Sequence, residues 1–180
     1  MWTRTTRWRG LLAAALDQAP FEPVTRVCVT GGHDSASADL LAAWLASALK
    51  CDVVRARTSA GTGLVSVRLE RRSGPIDLVR PDGLTATLEQ PGRPPRKIVL
   101  PRRQEGECLA DELSHLGEDD AYGRALRDGI PLLANAAMPA AEAIAAGIAP
   151  ATEESRALAA RIAREASAHR TSLSEGDQAP

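Results

Sequence analysis

The hydrophobic period of this chain switches part-way along, and the switch limits which folds are open to it. Up to Lys50 the main apolar clusters recur at three- and four-residue intervals, whereas from Leu64 to Leu100 apolar and polar residues alternate. The first spacing makes a stripe along a helix; the second puts apolar side chains on one face of a strand. Trp8, Leu11, Leu12, Ala15 and Leu16 predict a helix that ends before Pro20. VTRVCVT, residues 24–30, is rich in β-branched residues and reads as a buried strand running into the turn GGHDS. Ser35 or Ser37 can cap the next helix, whose stripe is Leu40, Leu41, Trp44, Leu45, Ala48 and Leu49. Asp52 to Thr58 is a second strand, and a parallel pairing with the first would make the crossover right-handed.

After SAGTG, four strands are expected at Leu64 to Arg71, Pro75 to Arg80, Leu84 to Gln90 and Arg96 to Leu100, joined by SG, PDG and PGRPP. Such connections make hairpins of an antiparallel meander. Val65, Val67 and Leu69 point one way, and Ser66, Arg68 and Glu70 the other; Ile76 and Leu78 alternate with Asp77 and Val79, and Ile98 and Leu100 with Val99. One face therefore needs a cover of helices while the other carries the charges. Helical spacing returns with Leu109, Leu113 and Leu116, then with Tyr122, Leu126 and Ile130 up to Pro131. Beyond Asn135 the chain is Ala-rich, with a helix expected at Glu153 to Ala168 on Leu158, Ile162 and Ala166, and TSLSEGDQAP has a disordered composition. The expected fold class is α/β (α+β). It is a mixed sheet with an N-terminal helix-strand-helix-strand unit, a four-strand antiparallel meander and C-terminal helices. The expected domains are 1–134, an α/β unit, and 135–180, a helical appendage with its tail.

Charge is divided along the chain. From Arg55 to Arg103 there are eleven basic and four acidic residues, net +7, which leaves −8 for the remainder. From Glu105 to Asp128 there are eight acids and two bases. A basic sheet followed by an acidic helical segment can steer and orient a partner, or the two can pack together and neutralise each other. Arg68, Arg71 and Arg72 precede the SG turn, Arg80 precedes PDG, and Arg102 and Arg103 follow the last strand. Guanidinium groups suit planar, bidentate recognition, so these six are the candidate partner-binding residues. The segment contains no aromatic residue to stack on bases, which argues against nucleic acid.

Catalytic chemistry finds little support. His33, Asp34 and Ser35 supply the residue types of a nucleophilic triad, but three consecutive residues do not adopt triad geometry, and there is no nucleophile elbow. His115 and His169 stand alone, and Cys28, Cys51 and Cys108 have no metal-ligand spacing, so neither a metal nor a cofactor is expected. Cys28 reads as a small core residue; Cys51 and Cys108 are nearer element ends. The turn carrying Gly31, Gly32, His33 and Ser35 lies between a strand and a helix, where backbone N–H groups can hold an anion; capping alone also accounts for its composition. It matches neither the dinucleotide fingerprint nor the Walker loop. No apolar run reaches spanning length, and the basic start MWTRTTRWRG leads into a stretch too short for a membrane helix. An odd number of cysteines and no convincing leader point to a reduced, cytoplasmic protein.

Several long strings carry a resemblance: WTRTTRWRGLLAAALDQAPFEPV, SADLLAAWLASAL, VRLERRSGPIDLVRPDGLTATLEQPGRPPRKIVLPRR and ECLADEL. Their order and spacing, from Trp2 to about Leu132, resemble the C-terminal half of the glucose-6-phosphate dehydrogenase assembly protein OpcA family of actinobacteria and cyanobacteria. The resemblance implies a non-enzymatic partner that binds glucose-6-phosphate dehydrogenase. It would promote the active oligomeric state of that enzyme in the oxidative pentose phosphate pathway, as an allosteric activator. The alternative reading is an enzyme or sensor for sugar phosphates that uses the GGHDS turn and nearby arginines as an anion pocket.

Overall fold

The computed structural model describes residues 1–114 and 117–150. His115, Leu116, His169 and the helix expected at Glu153 to Ala168 lie outside the described residues. A 3-10 turn at Thr3–Thr5 leads into α1 (Thr6–Leu16), followed by β1 (Arg26–Gly32), α2 (Ala36–Leu49) and β2 (Asp52–Thr58). The meander comprises β3 (Leu64–Glu70), β4 (Ile76–Val79), β5 (Thr85–Glu89) and β6 (Arg96–Val99). Then come α3 (Glu105–Ser114), α4 (Asp120–Arg124) continuing through a π turn (Ala125–Gly129) and a 3-10 turn (Ile130–Leu133), β7 (Ala137–Pro139) and α5 (Ala140–Ala145).

The seven strands of the described residues form one mixed sheet in the order β6-β5-β4-β3-β1-β2-β7. β1 and β2 are parallel, with Arg26 opposite Asp52 and Thr30 opposite Ala56; β1 and β3 are antiparallel, as are all neighbours within the meander. The local chemistry explains the boundaries. The Ser35 side chain accepts from the Ala38 N–H at 3.4 Å and caps α2, while Lys50 ends it in the left-handed region at φ 51°. The side chains of Val27, Val29, Val67, Leu69, Ile76, Leu78, Ala86 and Leu88 form the sheet side of the main core, and Trp8, Leu12, Leu41 and Leu45 the helix side. Each large apolar side chain fully buried there contributes on the order of 1.5–3 kcal/mol.

Two expectations need correction, and two helical stripes face outward. The β1–β3 register shifts between Thr30 and Gly31, with Thr30 opposite Ser66 and Gly31 opposite Leu64. Val65 is the extra residue of this bulge, so Leu64 rather than Val65 joins Val67 and Leu69 in the main core. Secondly, the other face of the sheet is not wholly a charged surface. Cys28, Ala56, Ala140, Ala143 and Ala149 form a second small core there, because small side chains let α5 approach β1 and β2 closely. Residues 137–145, expected within the appendage, thus supply a strand parallel to β2 and a helix packed on the sheet.

The leucine stripe of α3 is the first of these. Leu109 is 60% and Leu113 62% exposed, and Cys108 alone of the helix is buried. α3 is attached through polar side chains instead: Arg103 to Asp111 at 2.7 Å, Arg4 to Glu105 at 3.5 Å, and Thr3 to Glu112. Finally, Tyr122, Leu126 and Ile130 are partly exposed, and the residues that face the interior are Ala125 and Gly129. The contact needs small residues: a Cβ on Gly129 would lie 2.1 Å from the Ala43 carbonyl oxygen. Apolar periodicity picked out the large residues one position away. Among the described residues, no helix is long and apolar enough to cross a membrane.

Candidate functional site: an arginine-lined cavity at one end of the sheet

The strand order brings five chain ends to one edge of the sheet. β1 and β4 finish there, β3 and β5 begin there, and β6 leaves it toward Arg102 and Arg103. β1 has a parallel neighbour on one side and an antiparallel neighbour on the other, and α2 starts just beyond its carboxyl end. In open sheets with parallel strands this is where a crevice forms and ligands bind. The cavity found there encloses about 70 Å³ and is lined by Arg4, Trp8, Ser35, Arg80, Arg102 and Arg103, with Met1, Asp34 and Ser37 among the remaining residues.

Arg80 forms its inner wall. It is 5% exposed, its Nη1 donates to the Leu100 carbonyl and its Nη2 to the Leu64 carbonyl, both at 2.9 Å, and the guanidinium lies 5.1 Å from the Trp8 ring centre. Its Nε is buried without a partner. Burial, and after it the neighbouring Arg102, push the guanidinium down to about 10. Arg102 donates from Nη1 to the Gly61 carbonyl at 2.8 Å and lies against Gly63. Arg103 pairs with Asp111, and Arg4 with Glu105. Among the described residues, no carboxylate stands within ion-pair distance of Arg80 or Arg102. The one acid in the lining, Asp34, accepts from the Gly61 N–H through both oxygens at 3.1 Å.

The six arginines singled out in the sequence therefore occupy three places. Arg80, Arg102 and Arg103 converge on the cavity with Ser35. Arg71 and Arg72 lie at the opposite end of β3 beside Glu22; Arg71 is buried there and Arg72 is almost fully exposed. Arg68 lies on the second face, fixed to Asp77 by Nε at 2.8 Å and Nη2 at 2.6 Å and to the Gly147 carbonyl by Nη1.

Within the GGHDS turn, the glycines serve close packing. A Cβ on Gly31 would come 2.5 Å from the Gly63 carbonyl oxygen, and one on Gly32 would come 2.7 Å from an Asp34 oxygen. His33 is exposed, donates its backbone N–H to the Thr58 carbonyl, and does not line the cavity. Of this turn only Asp34 and Ser35 do, Ser35 through its position at the α2 N-terminus.

Sequence reasoning missed Arg55, which is 2% exposed beneath this turn. Its Nη1 donates to the carbonyls of Gly31 and Ala56, its Nη2 to Gly32, and its Nε to Asp39 at 2.8 Å. The signal was an acidic residue in the first turn of α2 facing a basic residue in the adjoining strand. Arg4 was also missed, because its partner Glu105 is about a hundred residues away. The cysteines are free, and burial pushes the Cys28 thiol up to about 11, far from thiolate chemistry. No three His, Cys, Asp or Glu residues cluster as a metal site among the described residues. Chemically the cavity offers cationic and N–H donors without a histidine, a set suited to holding an anion.

Residues 1–126 match a family model described as the C-terminal domain of the glucose-6-phosphate dehydrogenase subunit. The chain belongs to this family. Membership ties it to glucose-6-phosphate dehydrogenase. The matched region contains the whole cavity lining, β1 to β6 and α3, while β7 and α5 follow it. No curated protein matches the chain.

Proposed function

We propose that this domain is a non-enzymatic, cytoplasmic assembly factor and allosteric activator: it binds glucose-6-phosphate dehydrogenase and favours the active oligomeric state of that enzyme. The observation that carries this reading beyond the family match is the outward leucine pair of α3, Leu109 and Leu113, set among Glu105, Glu107, Asp111 and Glu112. An exposed apolar pair on a helix held down by its polar residues is what a docking helix needs. Activation requires tighter binding to the active than to the inactive form, and a tenfold preference corresponds to about 1.4 kcal/mol. Burying one leucine contributes that much, at about 1.5–3 kcal/mol. Of the arginines, Arg72 and Arg102 are exposed and able to add contacts at the rim, whereas Arg68, Arg71 and Arg80 are engaged internally.

The test is co-purification with the dehydrogenase, followed by steady-state kinetics with and without the full chain. The wild-type chain binds and changes KM or kcat, and the Leu109→Glu, Leu113→Glu double variant loses both effects while remaining folded. Absence of binding and of any kinetic effect with the wild-type chain refutes the reading.

A further inference from the structure

A buried guanidinium that lacks a carboxylate is costly, because the charge has left water without a counter-ion. Arg80 is in that position, with two of its nitrogens on carbonyl groups and the third unpartnered. Three further guanidinium groups line the same space, and Arg102 likewise has no carboxylate. The fourteen-residue helix α2 begins at the same wall. Its first-turn N–H groups at Ala36 and Ser37 have no intrahelical acceptor, as at any helix start, and the helix dipole adds partial positive charge. The space, about 70 Å³, is roomier than one water, whose share of liquid volume is about 30 Å³, and is of the order that one phosphoryl group fills. Arg4 and Arg103 are matched by Glu105 and Asp111, and Asp34 is turned to Gly61, so the guanidinium groups of Arg80 and Arg102 are the ones left without an acid at ion-pair distance.

We propose that the cavity between the α2 N-terminus and the guanidinium groups of Arg4, Arg80, Arg102 and Arg103 binds a phosphate group, free or carried on a small phosphorylated molecule. Arg80 and Arg102 are the anchoring donors, since neither has an acid of its own. Arg4 and Arg103 contribute from the rim, where Glu105 and Asp111 also hold them. The phosphate site does not rest on the dehydrogenase-binding role, and either can fail without the other.

Calorimetric titration of the full chain with inorganic phosphate and with a hexose 6-phosphate, at ionic strength held constant with chloride, tests the proposal. Saturable binding above the chloride background is expected. Arg102→Ala weakens it by about tenfold or more, as expected for loss of a charge-assisted hydrogen bond, and Arg72→Ala at the far end of the sheet leaves it unchanged. Tighter binding of the ester assigns the site to a phosphorylated small molecule, and equal or tighter binding of inorganic phosphate assigns it to the free anion; both outcomes support the site. Arg80→Met should abolish binding, and if it fails to fold the Arg102→Ala result decides. No saturable binding of either probe, or undiminished binding in folded Arg102→Ala, overturns the proposal.

Discussion

Replacing Arg55 by Met keeps the length of a buried side chain and removes its charge and all of its donors. Four hydrogen bonds disappear: three to the carbonyls of Gly31, Gly32 and Ala56, at 3.1, 2.7 and 2.7 Å, and one to Asp39 at 2.8 Å. A neutral hydrogen bond contributes about 1 kcal/mol net and a charge-assisted one about 1.5–3. Breaking a buried ion pair from one side costs about 3–5 kcal/mol. Asp39 can recover water, since its side chain is 40% exposed, so the loss lies mainly in the three carbonyls and in the tie between α2 and β2. The expected destabilisation is about 3–5 kcal/mol, read as a lowered urea midpoint with an unchanged m-value. Asp39→Asn, which leaves the carbonyl bonds intact but takes the counter-ion from the buried guanidinium, should cost about 1.5–3 kcal/mol. Arg57→Met, on the same strand but exposed, should stay within about 0.5 kcal/mol of wild type. An Arg55→Met protein within about 1 kcal/mol of wild type would mean that the carbonyls are satisfied without the guanidinium, and the account of the turn would be wrong.

The same substitution at two glycines should have opposite signs. Gly129→Ala forces a methyl to within 2.1 Å of the Ala43 backbone, so overpacking should cost about 1–3 kcal/mol or more, whereas Gly10→Ala in α1 meets nothing within 4 Å and should stabilise by about 0.5–1 kcal/mol; urea midpoints for the two variants check this. The acid side of the stability curve should be set by depressed carboxylates. Ser73 hydrogen bonds hold Glu22 low, and the Thr85 and Leu84 N–H groups hold Asp82 low. A pKa below its unfolded value contributes stability that is present above the unfolded pKa and lost as pH falls through the folded one, so unfolding midpoints should drop as pH passes down through and below the ordinary carboxylate range. Asp82→Asn should flatten that fall, and an unaltered profile would contradict the assignment.

Much of the architecture was legible because local chemistry and packing agree. The boundaries of β2 fall at Asp52 and Thr58 as the pattern suggests, Ser35 caps α2, and the meander alternation places Ile76, Leu78 and Ile98 on the helix-covered face. Where reading failed, size and sequence distance were responsible. Ala125, Gly129, Ala140 and Ala143 make contacts because they are small, and hydrophobic period gives weight to large residues instead. β7 has three residues, too few for an alternation to register, and its pairing with β2 becomes visible only once the sheet is assembled. α3 was read correctly as a helix, and its leucine stripe says nothing of which way it faces. Its attachment runs through Arg103, Arg4 and Thr3, and no amphipathic pattern encodes that preference.

The sequence offered the GGHDS turn with nearby arginines as an anion pocket but not which arginines reach it, for a topological reason. Counting arginines gave a basic segment, and strand parity correctly separated Arg68 from the apolar face, but neither tells which strand ends meet. In an antiparallel meander, alternate turns lie at opposite ends of the sheet. Arg71 and Arg72, after β3, and Arg80, after β4, are therefore on opposite edges although fewer than ten residues separate them. Arg80 and Arg102, twenty-two positions apart, share an edge because two strands intervene. The weak motif GGHDS and the dispersed arginines were two halves of one feature, joined where β1 ends and α2 begins. The same geometry connects the cavity to α3: Arg103 and Arg4 line the cavity and also hold Asp111 and Glu105 of that helix. On the two proposals above, an anion bound by Arg4 and Arg103 competes with the carboxylates of α3 that these arginines hold, so phosphate should change the affinity for the dehydrogenase if Leu109 and Leu113 form the contact.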